Sequence, residues 1–313
     1  GDGLNKVLVL AFLFLICFAN LNAQNINAQK YKLAESYEKS GDFESAVRLY
    51  SELIKSEPNN DDYFDSYARS LKTMNKFAEL LPEAKQRVDK QKSIKTGALL
   101  GELYWRTGKI SEANDAWDET VKGFKSSSDV YVAIAQAAVT LQKYDKAVSY
   151  LLLGRENLNN PKLFSDFLGR LYIATGDYTH GTEEILNQLK VDFNVAAAQG
   201  KLYALATNDE SKQYIKNQLK TTAAKFTDEV IFYELYAWFL RNIGDYETAL
   251  ITISKIDELK KVQGADIWRF AEDSRRDGQL DIALKAYGLI IDMGKQNPYI
   301  HSALFGYART LEE

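Results

Sequence analysis

The chain is 313 residues long, with 39 basic and 43 acidic side chains, a net charge of −4 at pH 7, two histidines and one cysteine. That balance gives no bulk attraction to nucleic acid or anionic lipid, leaves too few ligands for a Cys/His zinc site, and gives Cys17 no partner for an internal disulfide. With 46% hydrophobic and 26% charged residues, four prolines and helix formers throughout, the composition is that of a folded helical chain.

Residues 7–19, VLVLAFLFLICFA, are apolar without interruption. This run is shorter than the roughly 20 residues that a bilayer span needs, and it suits the apolar region of a secretory signal, with Lys6 as a thin positive flank. The expected organisation is a signal peptide over 1–23, cleaved after Ala23, followed by one continuous domain over 24–313 with no integral membrane span. Lipidation at Cys17 is disfavoured by bulky Ile16 before it and by Phe18 and Ala19 after it; a retained N-terminal anchor is the other alternative. Once cleaved, the chain has no cysteine, which is compatible with an oxidising compartment. Gly1-Asp2-Gly3 is an unusual signal start, and a true start near Leu4 would give a more ordinary one.

Beyond residue 24 one short turn recurs. Gly41-Asp42-Phe43-Glu44-Ser45-Ala46 returns at Gly108–Ala113, Gly176–Tyr178, Gly244–Ala249 and Gly278–Ala283, with looser copies at Asn75–Leu80 and Gln142–Ala147. The last positions, 46, 80, 113, 147, 181, 249 and 283, are spaced by 34, 33, 34, 34, 68 and 34 residues, and Ile215 falls on the vacant mark. The physical reading is a helical hairpin. Leu33, Ala34 and Tyr37 form an apolar face, Gly41 takes the left-handed conformation that ends a helix, Asp42 caps the next, and Ala46 is small where the helices cross.

Three residues before the bulky pre-turn position lies a small one: Ala34, Ala68, Gly101, Ala135, Gly169, Ala237 and Ala271. The sixth copy reverses the order with Tyr203 and Ala206, so its helices are expected to pack less closely. Units begin near 27, 61, 94, 128, 162, 196, 230 and 264, with a partial unit from 298. One residue is missing between the second and third, expected near 90–93. Pro82 is expected early in the second helix of unit two, with a kink if that helix starts sooner. The last segment keeps Tyr299, Ile300, Leu304, Phe305 and Tyr307, much apolar surface for a terminal cap, so the protein is expected to continue into further repeats.

This register resembles the tetratricopeptide repeat family, with its 34-residue helix–turn–helix unit and small/large alternation. The resemblance implies an all-α fold, a right-handed superhelix (solenoid) of about eight such units plus one extra C-terminal helix. It also implies a concave groove that binds a protein or peptide partner. Family groove positions fall on the first helix of each unit. They carry over to Tyr31 and Glu35, Asp65 and Arg69, Glu102 and Trp105, Val132 and Gln136, Asp166 and Arg170, and Gly200 and Ala204. The last two units give Glu234, Trp238 and Arg241, then Trp268, Glu272 and Arg275. No unit carries the Lys/Asn pair with which one subgroup clamps a C-terminal carboxylate. Trp117 falls instead on a second-helix core position. Trp238 near Arg241 and Trp268 near Arg275 would suit an acidic, aromatic segment.

Nothing points to chemistry. There is no phosphate loop, no G-x-S-x-G and no H-E-x-x-H, and the short connections leave no place for a pair of glycosidase carboxylates. Glu183-Glu184 and Asp61-Asp62 read as solvated pairs, His180 and His301 as lone surface histidines, and Arg275-Arg276 as a solvated face. No catalytic residue, metal site or cofactor is expected. The reading is a non-catalytic interaction scaffold of a Gram-negative cell envelope, in the periplasm or at the outer-membrane periphery. A glycan- or nutrient-binding component of an outer-membrane uptake system is the alternative.

Overall fold

The alternation of small and bulky residues sets how near two helices can come, and the computed structural model shows the result over residues 24–313, the residues it describes. The expected signal segment, with Lys6, the 7–19 run, Cys17 and Ala23, lies outside them. Among the described residues there are seventeen helices and no strand, and helices adjacent in sequence pack as helix–turn–helix pairs typical of a repeat solenoid. Their contacts divide the described residues into two units, one up to Lys143 and the other Tyr144–Glu313.

The first unit holds α1 over residues 24–39, α2 Phe43–Ser56, α3 Asp61–Thr73, α4 Phe77–Lys90, α5 Ile94–Arg106, α6 Ile110–Gly123 and α7 Ser128–Thr140. The second holds α8 Tyr144–Asn157, α9 Ser165–Thr175, α10 Tyr178–Asp192, α11 Val195–Leu205, α12 Asp209–Lys225 and α13 Val230–Asn242. It continues with α14 Tyr246–Lys260, α15 Ala265–Arg276, α16 Leu280–Asp292 and α17 Ile300–Glu312.

The turn is the same in seven copies. Gly41 sits at φ +84°, and the Asp42 N–H then donates back to the Tyr37 carbonyl at 2.9 Å. The same closure runs from Lys76 to Leu71, Lys109 to Tyr104, Lys143 to Ala138, Asp177 to Tyr172, Asp245 to Leu240 and Gln279 to Ser274. The accepting carbonyl belongs each time to the pre-turn position of the repeat, which satisfies one of the carbonyls a helix end leaves open. Asn75 and Gln142 adopt φ +58° without glycine's freedom, against a steric cost of about 1–2 kcal/mol. Asp42, Asp177 and Asp245 cap the following helices by accepting from the N–H of Ser45, His180 and Thr248.

The crossing positions are closed off from solvent. Ala46, Leu80, Ala113, Ala147, Ile215, Ala249 and Ala283 are fully buried, and Gly181 is buried with them. Trp117 shows why the partner position must be small. Its indole lies across Gly101 and its Nε1–H donates to the Ala98 carbonyl at 3.0 Å.

Four departures from the regular unit have local causes. The connection between α4 and α5 is residues 91–93, one shorter than 57–60 or 124–127, and it absorbs the missing residue. Helix α4 begins at Phe77, so Pro82 is its sixth residue and leaves the Ala78 carbonyl without its helical donor. Helix α9 begins only at Ser165, with Phe164 at φ +64°, because Arg155 of α8 holds the preceding backbone. Its Nε donates to the Leu163 carbonyl at 2.7 Å and its guanidinium forks onto Glu184 at 2.6 and 2.7 Å. The sixth hairpin lacks the shared turn: Tyr203 is 69% exposed where other units bury a small residue, and α12 packs on α10 and α13 rather than on α11.

Replacing Gly101 by alanine drives a Cβ into the rigid Trp117 ring. Overpacking of about 1–3 kcal/mol then outweighs the gain in helix propensity of up to about 1 kcal/mol, so Gly101→Ala lowers the urea midpoint. Gly123→Ala, with open space around the new methyl group, leaves the midpoint unchanged or raises it.

Candidate functional site

On the first helices of the first unit, the twelfth position of one repeat meets the ninth position of the next in two successive steps. In the first unit this places Glu38 of α1 against Arg69 of α3, with Nε–Oε1 at 2.6 Å and Nη2–Oε2 at 2.9 Å. Tyr50 also donates to Glu38, at 2.8 Å. The next step places Lys72 of α3 on Glu102 of α5 at 2.9 Å, and Arg106 adds a second contact to the same carboxylate at 3.0 Å. Glu102 is only 4% exposed, a burial tolerable because two cations face it. Lys95 pairs with Asp65 one step along the same face. At the third step the same two positions carry neutral residues, Trp105 and Gln136.

These helices floor a trough of about 610 Å³ across α3, α5 and α7, lined among others by Asp65, Arg69, Lys72, Glu102, Gln136 and Thr140. Its charges are spent on one another. Gln136 is exposed, and its side-chain amide forms no hydrogen bond among the described residues. Trp105 is half-buried, with its ring stacked on Trp117 at 5.9 Å and Lys143 over it at 5.6 Å. Tyr31 is engaged in packing: its hydroxyl bonds to Ser66 at 3.0 Å, and its ring lies 5.7 Å from Tyr50 and 5.3 Å from Tyr63. Glu35 is half-exposed, with no ion pair among the described residues.

In the second unit, Asp166 pairs with Arg170 at 3.2 Å and with Lys201 at 2.5 Å. Gly200 and Ala204 are exposed on α11. Glu234, Trp238 and Arg241 of α13 meet Arg269, Phe270 and Asp273 of α15 around a recess of about 220 Å³. Arg241 reaches Asp273 at 3.3 Å and Asp277 at 3.2 Å. Trp268 stacks on Tyr299, the residue before α17, at 6.3 Å. Glu272 accepts from Tyr287, and Arg275 is tied to Glu313 at 2.7 Å and to Glu272 at 3.5 Å.

The structure therefore brings Arg69, Glu102 and Gln136 into one trough and Trp238 and Arg241 into one recess. Tyr31, Trp105, Trp268, Glu272 and Arg275 are held in contacts to neighbouring helices. Two readings of charge need correction. Glu184 is no solvated carboxylate: it is 5% exposed because Arg155 draws it inward. Arg275 and Arg276 are not one solvated face, since the Arg275 side chain is 9% exposed and the Arg276 side chain 67%. Lys72 and Glu38, at the twelfth positions, were missed; opposite charges about one repeat apart are the signal that finds them.

His180 bonds through Nδ1 to Asp177 at 2.7 Å and stacks on Tyr172. Among the described residues no group of His, Cys, Asp or Glu side chains could hold a metal ion, and no helix is long and apolar enough to cross a membrane.

Two tetratricopeptide repeat family models match the sequence, over residues 28–60 and 99–157. No curated protein matches it significantly. Among solved structures, the chain is similar to the C-terminal part of a TPR repeat-containing protein from Cytophaga hutchinsonii. Identity is 16% and the TM-score 0.41, over 88% of this chain and 98% of that one. A tetratricopeptide repeat protein from Parabacteroides merdae gives 14% and 0.33, over 90% and 98%. The APC/C hetero-tetramer Cut9–Hcn1 gives 15% and 0.33, with 89% of this chain covering only 54% of that one. The family matches at 28–60 and 99–157, with the recurring hairpins, support a tetratricopeptide repeat architecture. Repeats of this kind suggest a protein–protein interaction scaffold, and the fold is generally a non-catalytic one.

The Arg69 guanidinium holds the Glu38 carboxyl below the usual carboxylate range, against the opposing effect of burial. A depressed native value means that this stabilisation is complete above the unfolded value of about 4.3 and is lost as pH falls through the native one. Arg69 is 56% exposed, so the pair contributes no more than about 1 kcal/mol. Glu38→Gln is expected to lower stability at pH 7 and to shrink the further loss on going to pH 3, as read by urea melts at both.

Proposed function

We propose that the trough across α3, α5 and α7 holds an extended segment of a partner protein. The observation that carries this reading is the pairing of its charges. Glu38–Arg69 and Lys72–Glu102 are satisfied within the protein, while Gln136, at the neutral step, presents an unpaired amide. A partner gains by hydrogen bonding and shape there, since a strongly charged tail would have to break ion pairs already made. In the second unit, Trp238 beside Arg241 is the aromatic anchor of the same kind of contact.

We further propose that the scaffold works in a bacterial envelope, exported by the apolar run at 7–19. Expression in a Gram-negative host, starting from a methionine placed before residue 1, should give a periplasmic protein whose N-terminal sequence begins at Gln24. Recovery of the uncleaved chain from the cytosol would refute the export reading.

For the trough, a photo-crosslinking residue is placed at Gln136, and Gln136→Arg serves as the blocking variant. The crosslinker should trap a defined envelope protein, and Gln136→Arg should weaken binding of that purified protein at least tenfold with the melting temperature unchanged. Equal binding by Gln136→Arg would remove the trough from consideration.

A further inference from the structure

The second helices of the first unit border a different cavity, away from the trough. Helices α4 and α6 both pack on α5, and between them lies a slot of about 310 Å³. Its apolar lining is Val88 of α4, Leu100 and Tyr104 of α5, Ala116 of α6 and Phe124 just beyond it. Thr120 of α6 packs over Gly97 at one end of the floor, and the short 91–93 connection lines that end with Lys92 and Ser93. From Gly97 to Tyr104 the floor runs about 10 Å, close to two helical turns.

The rim differs from that of the trough. On the α6 side stand Glu112, Asp115 and Glu119, at spacings of three and four that align them on one helix face. On the α4 side stand Lys85 and Lys92 with Asp89 between them. All six are exposed. Among the described residues, Glu119 meets only Lys122 of its own helix, at 3.5 Å, and the other five form no ion pair or side-chain hydrogen bond. The Tyr104 hydroxyl is likewise unbonded among the described residues. Where the trough spends its charges internally, this slot keeps an acidic wall, a largely basic wall and an apolar floor uncommitted.

We propose that the slot between α4 and α6 is a docking site for an amphipathic helix of a partner protein. That helix lays an apolar stripe on Val88, Leu100, Tyr104 and Ala116. Lys or Arg on one flank face Glu112, Asp115 and Glu119, and an acidic residue on the other faces Lys85 or Lys92. The charge asymmetry of the walls selects this occupant and sets its direction. The site is separate from the trough of the proposed function and stands or falls independently of it.

The test is a selection against the whole chain from a display library of helical 14-residue peptides randomised on every face. Winning peptides are then measured singly by fluorescence anisotropy in low and moderate salt. Expected winners carry apolar residues at spacings of three and four with Lys or Arg along one flank. They lose at least tenfold in affinity for Ala116→Arg, which fills the slot, and for the surface variant Glu112→Lys/Glu119→Lys, which cannot act through the core. They keep their affinity for Gln136→Arg. Failure to enrich any peptide, enrichment without a basic flank, or affinity unchanged by both slot variants would overturn the proposal. So would a dimer in sedimentation that Ala116→Arg dissolves, since the occupant would then be a second copy of this chain.

Discussion

Everything in each unit depends on how closely two helices can approach at one crossing. A methyl group or less at six of the eight ruler positions, Leu80 and Ile215 being the exceptions, and a small residue three before the bulky pre-turn position let backbones come near enough for side chains on either side to interlock. Trp117 lying across Gly101 is the extreme instance, since the largest side chain is accepted because the smallest faces it. The turn that follows is nearly invariant because the crossing fixes where the chain must reverse. The Asp42 to Tyr37 closure and its six counterparts repeat the geometry even where Asn75 and Gln142 stand in for glycine.

The hairpins were legible in the sequence because crossing and turn are local and periodic. Side-chain size at Ala34, Gly41 and Ala46 fixes them without reference to the rest of the chain. The late start of α9 was not legible, because its cause is Arg155 reaching the Leu163 carbonyl and Glu184, a charge buried by a contact 29 residues away. The face of the first helices was half legible. Family register marked Arg69, Glu102 and Gln136 together, yet it could not tell a residue facing the open trough from one held by its neighbour, as Trp105 is by Trp117 and Arg275 by Glu313. That distinction lies in pairing between repeats, which position within a repeat does not encode.

Ion pairs between successive first helices do two things at once. They stitch neighbouring hairpins along the face where a ligand would lie, and they neutralise that face. A face of this construction trades electrostatic attraction for order, because the charges of Arg69 and Lys72 already bridge two helices. The second-helix side of α4 and α6 is built on the opposite terms, with charges left to solvent around an apolar floor.

The loosened sixth hairpin bears on how the second unit holds together. In a linear stack each element is stabilised only by its nearest neighbours, so cooperativity is transmitted link by link. Where α12 leans on α10 and α13 instead of its own partner, and Tyr203 faces water, α11 lacks the close crossing that holds the neighbouring hairpins. Its amides are placed to exchange with solvent through a local opening that spares the tightly closed pairs α9–α10 and α13–α14 on either side. The second unit thus has one hairpin that is not closed by its own crossing, set between hairpins that are.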